Sequence, residues 1–160
     1  MGPFFPGLKA ALNYHPIFVH FPIALWLTAL LFELLAVWRS SDDSHRTAVW
    51  ILYLGTLAGG LTVITGLYAE DSVPNGPAQT VMELHQTVML TTFSFAVGLC
   101  IFAFFARRNF TAGLRKLMLL GLVILAGLLT YGADRGAQLV YQYGSAVNWP
   151  AAQQQGQTQK

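Results

Sequence analysis

Cysteine is almost absent from this sequence. Cys100 stands alone, so no intrachain disulfide can form, and its place inside an apolar run marks a packed thiol rather than a thiolate site. Charge is scarce as well. Asp, Glu, Lys and Arg make up 10% of the 160 residues, against roughly 25% in soluble domains, which excludes an ordinary soluble fold. The net charge of +2 is spread over loop ends and gives no nucleic-acid surface. A cleavable signal is also missing from the opening MGPFFPGLKAALNY. It has one lysine and no short apolar core before a small-residue cleavage site, so the first apolar span is expected to be retained.

What the chain does have is apolar length. Apolar residues make up 54% of it and fall into four blocks. Each block reaches the roughly 20 residues that a bilayer-spanning helix needs. The expected fold is all-α: an integral membrane four-helix bundle, surrounded by membrane lipids, with spans at about 16–38, 47–68, 78–105 and 114–133. Residues 1–14, with Phe4, Phe5 and Leu8 as anchors, are expected to lie at the membrane surface, and 15–147 form the membrane domain. The Gln-rich residues 148–160 are expected to be disordered. Residues 39–46 read as a polar loop, and 134–144 either extend the fourth helix or lie at the interface. The run Gly55-Thr56-Leu57-Ala58-Gly59-Gly60 gives span two a small-residue face for close helix packing.

Lysine and arginine set the orientation. The connections after spans one and three hold Arg39, Arg46, Arg107, Arg108, Arg115 and Lys116, whereas the other side holds only Lys9, Arg135 and Lys160. Both termini are therefore expected outside, on the periplasmic side of a bacterial inner membrane. Tyr14, Trp38, Trp50, Tyr68, Tyr141, Tyr143 and Trp149 fall near the span edges as an aromatic belt.

Two histidines carry the functional signal. His20 lies in His15-Pro16-Ile17-Phe18-Val19-His20-Phe21-Pro22, and His85 lies near the start of the third span. Both fall at the outer end of the bundle. An ionisable group there is a functional candidate, and two imidazoles on different helices suit one metal, above all the iron of a b-type haem. His15 is the competitor. It precedes His20 by about 140° around a helix and either replaces it or completes a three-histidine site for copper or another metal. Arg135 is a candidate for a haem propionate or a lipid phosphate, against a plain ion pair with Asp134. Pro22 is expected to bend span one and free the Phe18 carbonyl. Glu33 is expected to snorkel or to pair with Arg39 or Arg115, and His45 falls in the inner loop, away from the site.

The motifs His15-Pro-Ile-Phe-Val-His-Phe-Pro-Ile-Ala-Leu25, His85 opening the third span, and Arg135-Gly-Ala-Gln-Leu-Val-Tyr-Gln-Tyr-Gly144 resemble those of a bacterial family of four-span membrane proteins. The similarity covers about residues 14–147. This chain has Gly136-Ala137 where the family more often has Gly-Gly. The resemblance implies a four-helix bundle and no particular activity. In architecture the chain is also similar to di-histidine cytochrome b bundles, which implies haem. The expected function is electron transfer by haem b near the outer face, with His20 and His85 as ligands and His15 in reserve. No substrate-converting residues stand out, so no independent enzyme activity is expected. The competing classes are a cofactor-free subunit packed against other subunits of a larger respiratory or photosynthetic complex, and a histidine metal site.

Overall fold

The structure is a computed structural model that describes residues 4–5, 11–70, 73 and 76–146. Most of the expected surface segment and all of the polar tail lie outside the described residues. Among the described residues five helices follow in order: α1 (His15–Phe18), α2 (His20–Arg39), α3 (Asp42–Ala69), α4 (Pro77–Ala106) and α5 (Ala112–Tyr141). No strand occurs among the described residues. The α1–α2 unit spans 25 residues and α3, α4 and α5 span 28, 30 and 30; all four are long and apolar enough to cross a membrane. A 30-residue helix is about 45 Å long, so its ends reach past a hydrocarbon layer about 30 Å thick.

Local chemistry sets the helix ends. Ser41 caps α3 by accepting the Ser44 N–H at 3.2 Å, and Asp42 and Asp43 then complement the first turn. The segment expected as a loop over 39–46 is therefore mostly helix, and α3 starts five residues earlier than its apolar block. Thr111 caps α5 in the same way, accepting the Leu114 N–H at 3.3 Å. Pro77 opens α4, where its missing N–H costs nothing. At its far end α5 runs on through 134–141, so that segment extends the helix.

The long helices form a ring: α2 packs on α3 and α5, and α4 packs on α3 and α5. Short connections make sequential neighbours antiparallel. The buried positions repeat at alternating steps of three and four. They are Pro22, Trp26, Ala29, Glu33 and Ala36 on α2, and Met118, Leu122, Leu125, Leu129 and Gly132 on α5. That spacing averages about 3.5 residues and gives left-handed bundle packing. Small residues line the contacts: Ala29, Ala36, Ala48, Ala96 and Ala103 are nearly inaccessible. Large apolar residues such as Leu31, Leu57, Ile64, Ile101 and Phe105 point outward. In lipid this is the expected sorting, because burying apolar surface between helices gains little there and close approach of backbones gains more.

Trp26 shows how tightly the packing is specified. Its ring lies in the groove made by Gly55 and Gly59, and its indole N–H donates to Thr56 Oγ1 at 3.3 Å. A Cβ on Gly55 would stand 2.8 Å from Trp26 Cδ1, whereas a Cβ on Gly98 would meet nothing within 4 Å. Gly55→Ala should therefore destabilise the bundle by about 1–3 kcal/mol through overpacking. Gly98→Ala should leave it unchanged or slightly firmer. Thermal unfolding of the two variants in one detergent checks the contrast.

Candidate cofactor site

The site begins at a broken helix. Pro22 has no N–H to offer the Phe18 carbonyl, so the α-helical bond at that step is missing. The Thr62 hydroxyl of α3 takes its place, sharing its one proton between Phe18 O at 3.1 Å and its own Ala58 O at 3.0 Å. The chain divides here into α1 and α2 around Val19. A carbonyl left unpaired in lipid would cost several kcal/mol, so this bond pins the entry of the first span to α3.

That pin fixes His15. Thr65 donates its hydroxyl proton to Thr62 O at 3.0 Å and so presents a lone pair to His15 Nδ1 at 3.4 Å. On the other side, a Cβ on Gly66 would come within 3.0 Å of His15 Cε1. Any larger residue there would have to press the ring back by a few tenths of an ångström.

His85 is held by the same logic on α4 and α5. Its Nδ1 lies 2.8 Å from the Gly132 carbonyl. A carbonyl only accepts, so Nδ1 carries the proton and Nε2 keeps a lone pair. A Cβ on Gly136 would stand 3.0 Å from His85 Cε1. Both imidazoles thus sit against a glycine of the next helix with Nδ1 engaged. An Nδ1–H donated to a protein oxygen is the usual arrangement behind an Nε2 metal ligand.

His15, His20 and His85 all line one cavity of about 470 Å³ at this end of the bundle. Its size falls in the range of small-molecule and cofactor sites, roughly 300–1,000 Å³. Its walls are mainly apolar, from Ile23, Val63, Met89, Leu90, Phe93 and Leu129, and Trp26 also contributes. Beyond α5 the chain turns back at Gly144, whose φ is 65°, and brings Ser145 over the cavity. Ser145 is 6% exposed and its Oγ has no hydrogen-bond partner among the described residues.

The sequence-predicted residues do not all occupy equivalent places. His15 and His85 are partly buried and anchored, whereas His20 is exposed and no hydrogen bond holds its ring among the described residues. Arg135 stands outside the cavity lining. It pairs with Asp134, donates to Gln138 Oε1 at 2.9 Å and lies over the Tyr131 ring. Its Nε is buried without a partner. Among the described residues no group of three or more His, Cys, Asp and Glu gathers in metal-binding range.

Glu33 differs from its sequence expectation. It neither snorkels nor meets Arg39 or Arg115. Both of its oxygens face His45 Nδ1, at 3.0 and 2.8 Å, near the opposite end of the bundle. The early start of α3 is the reason, because it turns His45 from a loop residue into an inward-facing helical one. The alternating three-and-four spacing was the available signal. It runs 15, 19, 22, 26, 29, 33 along the first span and 45, 48, 52, 55, 59, 62, 66 along the second, and His20 falls off it.

Two outcomes follow for the anchored rings. Nitrogen-15 NMR of the ring nitrogens should find His15 and His85 as Nδ1–H tautomers in the cofactor-free protein. Thr62→Val should cost about 1–3 kcal/mol, the price of an orphaned buried carbonyl, in thermal unfolding.

Neither a curated protein nor a solved structure matches this chain. A family model does match, across residues 11–148 and so over most of the sequence. Its family is described as that of a predicted membrane protein, DUF2231, which agrees with the four apolar helices. The chain belongs to the DUF2231 family of membrane proteins.

Proposed function

We propose that the cavity is a haem b site and that the protein transfers electrons near the outer face of a bacterial inner membrane. The observation that carries this reading is the matched anchoring of His15 and His85, each with Nδ1 engaged and a glycine behind the ring. On this reading His15, rather than His20, would hold the group together with His85. Two imidazoles alone make a poor site for a bare divalent ion, which takes three or four protein ligands. They suit an iron that brings its own four nitrogens, which bound haem would supply together with a one-electron couple.

The rest of the lining supports the same fit. Apolar walls exclude water and so bear on the potential of a bound redox centre. The orphaned Ser145 Oγ offers a hydroxyl to a polar edge of the ligand. Arg135, one residue before cavity-lining Gly136, has an unpartnered Nε and is the nearby cation for a propionate. The arginine-rich connections lie at the other end, which by the positive-inside rule turns the cavity outward. Partners are then a redox protein on that side or neighbouring subunits of a membrane complex.

A reduced-minus-oxidised visible spectrum tests this directly. The protein purified from haem-replete membranes should give a sharp b-type alpha band. His15→Ala and His85→Ala should abolish it, and His20→Ala should keep it. Retention in His15→Ala with loss in His20→Ala would return the ligand role to His20. A folded protein that stays colourless when haem is supplied would sink the reading and favour a cofactor-free subunit. Copper or zinc without porphyrin would favour a simple metal site.

A further inference from the structure

The end of the bundle opposite the cavity holds a second ionisable pair, independent of any cofactor. Glu33 has no exposed side-chain surface, while His45 keeps 9% of its side chain exposed. His45 Nδ1 meets both carboxylate oxygens, and the ring packs on Phe110 with centroids 4.0 Å apart. Among the described residues Glu33 has no hydrogen-bond or ion-pair partner besides His45. A carboxylate sealed inside a membrane bundle is expensive, and an apolar residue would join α2 to α3 at lower cost.

We infer that Glu33 and His45 form a proton-binding site, with Glu33 as the store and His45 as its relay to water at the arginine-rich face. An arginine partner would keep the carboxylate ionised at all times. A carboxyl and an imidazole exchange a proton readily across one short hydrogen bond. The step balances. A hydronium ion gives its proton to the His45 Nε2 lone pair and leaves as water, while the Nδ1–H bond breaks as an O–H bond forms on Glu33. The imidazole ends neutral in its other tautomer, the carboxyl ends as a neutral acid, and the reverse sequence restores both.

Other charges surround the pair without replacing it. Asp42, one turn before His45, interacts electrostatically with His45, Arg46 and Arg115, and its carboxylate pairs with the Arg115 guanidinium of α5. Arg39 ends α2 and Arg107 caps α4. Among the described residues none of these arginines bonds to Glu33.

Infrared spectroscopy of the full-length protein in lipid discs tests the site. Acidification should bring up a protonated-carboxyl stretch that Glu33→Gln removes. On transfer to D₂O that proton should exchange rapidly in the wild type and about 10²-fold more slowly in His45→Phe. Should His45→Phe fail to fold, His45→Gln replaces it, since it keeps a partner for Glu33 but has no second ring nitrogen. No Glu33-dependent band anywhere in the folded pH range would overturn the proposal. So would equally fast exchange in the His45 variant; either result leaves the pair as a fixed tie between helices, visible only as a lower melting temperature. The haem spectrum of the same samples reports separately, so either reading can fail alone.

Discussion

One missing hydrogen bond organises the cavity end of this molecule. Pro22 withholds a donor from Phe18 O, and in lipid no water replaces it. Thr62 does, from the neighbouring span. The replacement ties the first helix to α3 at a single register. That register sets His15 against Gly66 and beside Thr65, with its ring facing the space that His85 enters from α4. A regular α-helix through residue 22 would leave Thr62 without this role and would free the turn that carries His15. The break is thus a structural requirement of the cavity.

The small residues act through the same geometry. Gly66 and Gly136 give up side chains so that imidazole rings lie flush against the next helix. Gly55 and Gly59 do likewise for Trp26, which fills the cavity's inner wall. In a membrane this exchange is favourable, because close helix contact is gained without a loss of hydrophobic burial. The bundle therefore holds the Trp26 and imidazole rings against glycines, beside a core of Leu52, Met118, Leu122 and Leu125, while many of its other large apolar residues face the lipid side.

Much of this was legible in the sequence. Four apolar blocks and few charges gave the number of spans, and Pro22 gave the break and the freed Phe18 carbonyl. The pairing of rings was less legible. His20 sits in the most conspicuous motif, yet the seam of three-and-four spacing passes through His15 and leaves His20 exposed. Glu33 and His45 were missed as a pair because polar residues 41–46 look like a loop when counted by hydropathy. Ser41 and its two following aspartates make them a capped first turn, and one turn of helix moves His45 from the surface to the interior. Capping chemistry outweighed polarity at that point.

The two ends of the bundle hold histidine in different surroundings, and the atom facing Nδ1 distinguishes them. At the cavity end Nδ1 meets neutral oxygens, the Gly132 carbonyl and the Thr65 hydroxyl. Neither takes the proton away, so the ring stays in one tautomer and Nε2 is left as a steady lone pair. At the other end Nδ1 meets a carboxylate that has no other hydrogen-bond or ion-pair partner among the described residues. On the inference above, the proton there has two resting places. A neutral acceptor makes a ligand of an imidazole, and an ionisable one makes a carrier of it. The imidazoles thus differ by the atom that faces Nδ1: at His85 the backbone of α5 supplies it, and at His45 the side chain of Glu33 does.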